Sequence, residues 1–110
     1  MQDISHTKSD IVILIRKSFE NKVSNFFIIG SFLSDDWSSE NSDIDIVCVD
    51  KSFEEYPYFE NKKYVRNILS NIPYKFDIFI YTPKQFNDKL LNDLRFHKQI
   101  IKGANLYAIK

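Results

Sequence analysis

Two hydrophobic periods alternate along this chain. Ile11, Leu14, Ile15 and Phe19 recur at helical spacing, with Ser9-Asp10 as a start and an end near Asn21. Val12 and Ile13 fill the rest of that run, so a strand over 11–15 stays open. Val23 to Ile29 is β-branched and aromatic and reads as a buried strand. The polar stretch Gly30 to Ser42 reads as a loop, with room for one helical turn around 35–39, and Asp43 to Val49 reads as a second strand. Asp50-Lys51-Ser52 is a turn and Tyr56-Pro57 a break. Val65, Ile68, Leu69 and Ile72 predict an amphipathic helix over 59–72, stopped by Pro73. Tyr74 to Tyr81 is a third strand, with Phe76, Ile78 and Ile80 on one face and Asp77, Phe79 and Tyr81 on the other. Thr82-Pro83 caps a helical pattern through Phe86, Leu90 and Leu91, then Leu94 and His97 to Ile101. Gly103 is expected to end that helix, and Leu106 to Ile109 to add a short final strand. The order α-β-loop-β-α-β-α-α predicts an α/β (α+β) fold, a small mixed sheet packed against helices, in one domain over 1–110.

Composition narrows the class. At 110 residues and 44% hydrophobic, the chain has material for one modest core. Lys+Arg and Asp+Glu balance at 15 each, which argues against a protein built mainly to grip a nucleic-acid backbone. The lone cysteine, Cys48, excludes an internal disulfide and is compatible with a reducing compartment. The opening residues lack a basic segment followed by an apolar one, and the longest apolar run, Ile11 to Ile15, is too short for a membrane span. A cytoplasmic location is expected by elimination.

The chemistry concentrates in the acids. Asp43 and Asp45 open the second strand, so both point to the same face with Cα atoms about 6.5 Å apart. Two such carboxylates repel by roughly a few kcal/mol at an effective dielectric near 20. A cation between them relieves that repulsion. Asp77 is the one carboxylate in the third strand. Alone it reads as a solvent-facing charge on an edge strand. If the third strand pairs with the second, all three acids can converge on one or two divalent ions. Mg²⁺ suits such hard oxygen donors and keeps positions for water and substrate phosphates. Gly30-Ser31, at the end of the first strand, complements them. The glycine lets backbone N–H groups approach a phosphate and the serine adds a hydroxyl donor.

Gly30-Ser31, Ser42-Asp43-Ile44-Asp45 and Asp77 together resemble the nucleotidyltransferase superfamily of the DNA polymerase β type. The closest likeness is to its stand-alone minimal members, often paired with a HEPN partner. The tail Ile100-Ile101-Lys102-Gly103-Ala104-Asn105-Leu106-Tyr107 resembles that family's closing helix, glycine and Leu-Tyr. The resemblance implies the nucleotidyltransferase fold and transfer of a nucleotidyl group from an NTP, usually ATP, to a hydroxyl. It implies that Asp43, Asp45 and Asp77 form the catalytic, metal-binding set, with two Mg²⁺ ions. It implies that Gly30 and Ser31 hold the β- and γ-phosphates, with Ser42 beside them. The implied acceptor lies on a partner protein, and for the HEPN-paired members that partner is a toxin RNase which the nucleotidyltransferase neutralises. A homodimer is the other way to complete an acceptor pocket, as a small-molecule (antibiotic) adenylyltransferase needs. The loop departs from the family pattern: Asp35, Asp36 and Glu40 lie in it, without any Lys or Arg. An acidic loop predicts weaker triphosphate binding, and so a degenerate member that binds its partner without catalysis is a further reading.

Other residues carry two readings each. Trp37 packs on its own domain or a partner, or stacks on a nucleobase. His97 is a structural histidine before it is a general base. Cys48 reads as core. Lys62, Lys63 and Arg66 read as a solvated helix face. Tyr56-Pro57-Tyr58-Phe59 is core or an exposed patch for a partner.

Overall fold

In the computed structural model, which describes residues 7–107, helix α1 (Lys8–Phe19) starts from a reciprocal cap. The Thr7 hydroxyl accepts the Asp10 N–H at 3.1 Å, and the Asp10 carboxylate accepts the Thr7 N–H at 3.2 Å. The helix therefore opens on Thr7, two residues before the Ser9-Asp10 start that the sequence suggests. Ile11, Val12, Ile15 and Phe19 are buried along one side, which excludes a strand over 11–15.

Strands β1 (Asn25–Ile29), β2 (Ile44–Val49) and β3 (Phe76–Tyr81) form one sheet in that order. β1 runs antiparallel to β2, and β3 runs parallel to it. The parallel pair needs a crossover, which helix α2 (Tyr58–Ile68) and a tight turn through Asn71 supply. Two C-terminal helices follow, α3 (Pro83–Asn92) and α4 (Leu94–Tyr107). α3 has the expected start: Thr82 and Gln85 cap each other, with Pro83 at the first position.

The strand pattern sorts the core into two layers. Phe26, Ile28, Ile44, Ile46, Cys48, Ile78 and Ile80 pack with α1, with Phe32 and Leu33 and with Val65 and Leu69. On the other face Val47 and Val49, with Phe27, Phe79 and Tyr81, meet Phe96 and Ile100 of α4 and Phe86 and Leu90 of α3. Burial raises the Cys48 thiol well above the ordinary thiol range, as expected of a packing residue. Among the described residues no helix is long and apolar enough to cross a membrane.

Several boundaries differ from the sequence reading. β1 begins at Asn25 and β3 at Phe76, each two residues later than predicted. The helical turn in the loop falls at Gly30–Leu33, not at 35–39, because Phe32 and Leu33 plunge into the core directly after Gly30. Gly103 does not stop the last helix. It is buried mid-α4, where a β-carbon would overlap the carbonyl oxygen of Ile28, so glycine here lets helix and strand approach closely. The helix runs on to Tyr107, which packs against Phe32 with ring centroids 5.7 Å apart. Leu106 and Tyr107 are thus helical, not a strand; the remainder of that predicted strand, and the opening six residues, lie outside the described residues.

Candidate active site

β2 is the middle strand, and both of its faces are covered. Every side chain in it is buried and apolar except Asp45, which is half-buried. Asp45 sits where β1 ends and β2 and β3 begin: its register partners are Ile29 on one side and Asp77 on the other. Asp45 and Asp77 therefore share one rung of the parallel pair and emerge on the face that carries Val47, Phe79, α3 and α4. Asp43 lies two residues ahead of Asp45, just outside the strand, and is exposed, as is Asp77.

Electrostatics links the three acids. Burial, then the charge of Asp77, then that of Asp43 push the Asp45 carboxyl above its ordinary value. Among the described residues no set of three His, Cys, Asp or Glu side chains is already drawn together around one point. The donor set still fits a hard divalent cation. It offers carboxylate oxygens only, two from one rung and a third from the lead-in, in mutual repulsion that a cation would relieve. The backbone also leaves room: a β-carbon on Gly30 would overlap Asp45 Oδ2.

The turn after β1 differs from its expected role in detail. Gly30 has φ +76°, a left-handed conformation natural to glycine. Its N–H, expected to face a phosphate, donates to Oε1 of Gln99 on α4 at 2.9 Å. Gly30 thus makes space for Asp45 and ties the turn to α4. Ser31 is exposed beside it, and its carbonyl accepts both the N–H and the hydroxyl of Ser34 at 3.0 Å. Ser42 fastens the far end of the loop: its N–H donates to Ser38 O at 2.9 Å, and its hydroxyl accepts the Ser38 N–H at 3.3 Å.

Two supports were not foreseen from the sequence. Lys8 Nζ donates to the carbonyls of Phe32 and Ser34 and stands over the Phe32 ring, 5.2 Å from its centroid. It props the acidic loop from α1. The second support is α4 itself: Arg95, Gln99 and Lys102 line a cleft of about 560 Å³ together with Gly30, Ser31 and Ser34. Their spacing of four and then three residues was a legible sign of one helix face. Which face met the loop was not legible.

The remaining candidates fall outside this site. Trp37 packs against Phe32 and Tyr74, at 4.9 and 6.0 Å between ring centroids, and its buried Nε1–H has no acceptor among the described residues. His97 is exposed on α4. Tyr56, Tyr58 and Phe59 are largely exposed at the start of α2. Arg66 borders a second cavity, about 380 Å³, together with Asp43, Ser70, Tyr74 and Lys75.

The sequence profile of the nucleotidyltransferase domain family matches residues 11–101, which spans α1, the sheet, the acids and most of α4. The chain belongs to that family, a family of transferases that move nucleotidyl groups. A solved structure of a candidate nucleotidyltransferase from Sulfolobus solfataricus is similar, with 25% identity and a TM-score of 0.47 over 73% of this chain and 68% of that one. No curated protein matches the chain.

Proposed function

We propose that this nucleotidyltransferase-family chain transfers AMP from ATP to a hydroxyl on a partner protein, with Asp43, Asp45 and Asp77 as its metal-holding, catalytic set. The observation that carries this reading is the shared rung of Asp45 and Asp77; burial, then the charges of Asp77 and Asp43, raise the Asp45 carboxyl, a cost that a cation would relieve. When bound, magnesium supplies charge neutralisation at the α-phosphate and at the leaving oxygen. Asp77, exposed at the edge strand, takes the proton of the acceptor hydroxyl as its oxygen bonds to the α-phosphorus. The bond from that phosphorus to the bridging oxygen breaks, and pyrophosphate leaves. Ser31 donates its hydroxyl to the phosphate chain. The exposure of Asp43 and Asp77 suits an acceptor presented by another macromolecule, and a helical HEPN-type toxin is the partner that the family resemblance suggests.

A small-molecule acceptor is the second reading. The cavity that Asp43 shares with Arg66, Ser70 and Tyr74 favours it, because one of the three acids borders it and it lies within one chain. The acidic loop favours a third, in which the chain neutralises its partner by binding alone.

The test is incubation of the chain with Mg²⁺, the protein encoded beside it, and ATP labelled at either the α- or the γ-phosphate. Label on the partner from the α-position only supports the reading. Protection of the partner that survives D43N/D45N without any label transfer overturns it in favour of simple binding.

A further inference from the structure

An NTP carries four negative charges or nearly so, and the loop that should receive its phosphates carries three acids and no base. The Gly30 N–H is also occupied, by Gln99. Counter-charge must come from elsewhere, and the cleft beside Gly30-Ser31 shows where. Its far wall is α4, on which Arg95, Gln99 and Lys102 sit at i, i+4 and i+7 and form one stripe toward the loop. Lys89 also lines it but is paired with Asp93 at 3.2 Å and stands over the Phe96 ring. Arg95 and Lys102 are exposed and belong to no ion pair among the described residues.

Charge is therefore divided about Gly30. On one side lie the acids that suit a cation; on the other lie Arg95 and Lys102, both outside any ion pair among the described residues, the hydroxyls of Ser31 and Ser34, the mutually paired Lys89 and Asp93, and one acid, Asp36, so that cations outnumber acids in the cleft by three to two. A ligand matching both halves has a metal-binding phosphate at one end and an anionic tail of several oxygens at the other. We propose that Arg95 and Lys102 of α4 form the seat for the polyphosphate tail of the nucleotide and for the departing pyrophosphate, with Gln99 as the positioning residue that fastens the Gly30 turn to that seat. Arg95 offers a planar fork and Lys102 a point charge, a combination that suits phosphate oxygens. This proposal rests on the nucleotidyltransferase reading and replaces the loop with a helix face as the source of positive charge.

The test is calorimetric binding to the full chain of inorganic tripolyphosphate, ATP and AMP, each with Mg²⁺. Wild type is expected to bind tripolyphosphate and ATP more tightly than AMP. R95Q and K102Q are each expected to weaken tripolyphosphate and ATP by about tenfold and to leave AMP unchanged, while R95K, a point charge without the fork, recovers part of the affinity. K98Q, on the same helix outside the cleft, serves as the control for net charge. Wild-type ATP binding that R95Q/K102Q does not weaken overturns the seat and leaves the nucleotidyltransferase reading standing. An equal loss in K98Q also overturns the seat. A wild-type chain that binds neither ATP nor tripolyphosphate overturns both.

Discussion

The carboxylate of Asp45 lies against the Cα of Gly30, so closely that a β-carbon there would overlap Oδ2 and come within 3.2 Å of Cγ. The turn that ends β1 and the acid that opens β2 are therefore one unit. Gly30→Ala should cost about 1–2 kcal/mol from the positive φ alone. It should also push the Asp45 carboxylate off its rung. Chemical denaturation checks the first effect, and loss of Mg²⁺-dependent thermal stabilisation checks the second.

Asp45 and Asp50 should respond to pH with opposite signs. The Asp45 carboxyl is raised in the folded chain by burial, then by Asp77 and Asp43. Its contribution to stability is thus present below the ordinary carboxylate value and is lost as pH rises through the raised one. For Asp50, burial acts to raise the value, but bonds from Ser52 and Ser24 outweigh it and lower the net value. Its stabilisation is present above the ordinary value and is lost as pH falls through the lowered one. Metal-free D45N should therefore melt a few degrees above wild type at pH 7 and D50N a few degrees below; the Asp45 gap closes once pH is below the ordinary carboxylate range, and the Asp50 gap closes only further down, as pH falls through its lowered value. Melting curves across pH read this directly.

Gly103 should be more sensitive than a helical glycine usually is. Gly103→Ala would gain helix propensity in a solvent-facing position, but here its methyl meets the Ile28 carbonyl. The expected result is a net loss of about 1–3 kcal/mol, with α4 displaced from β1. A stability gain in urea unfolding would contradict the packing described here.

Asn61 is the one buried polar side chain among the described residues, and its Nδ2 donates to the carbonyls of Phe53 at 2.9 Å and Tyr56 at 3.1 Å. Asn61→Leu leaves both acceptors unpaired and should cost about 1–3 kcal/mol. Trp37→Phe should be far milder, because the indole N–H it removes has no acceptor among the described residues. Comparing the two in one denaturation series separates a satisfied buried group from an unsatisfied one.

Much of the fold was legible because strand alternation leaves little choice. Asp43, Asp45 and Asp77 stand out as acids within apolar runs, and period two sends Asp45 and Asp77 to the face opposite Ile44 and Ile78. What pairs with what was not legible: the shared rung of Asp45 and Asp77 depends on parallel register, which no local signal sets. Gly103 misled because a terminator and a close-packing glycine look alike until the neighbouring strand is placed. The same holds for Arg95, Gln99 and Lys102, whose meaning depends on which side of α4 meets the Gly30 turn. The sequence reading starts α1 at Ser9-Asp10; the reciprocal bonds between Thr7 and Asp10 move the start to Thr7.

Asp45 and Asp77, with Asp43, are proposed to hold a divalent ion against a bound nucleotide. Crystals grown with Mn²⁺ and a non-hydrolysable ATP analogue test it most directly, through the anomalous signal of manganese. The expected result is a peak within bonding distance of both Asp45 and Asp77, absent in D45N. Nucleotide bound with manganese elsewhere, or with neither carboxylate touching it, would contradict it.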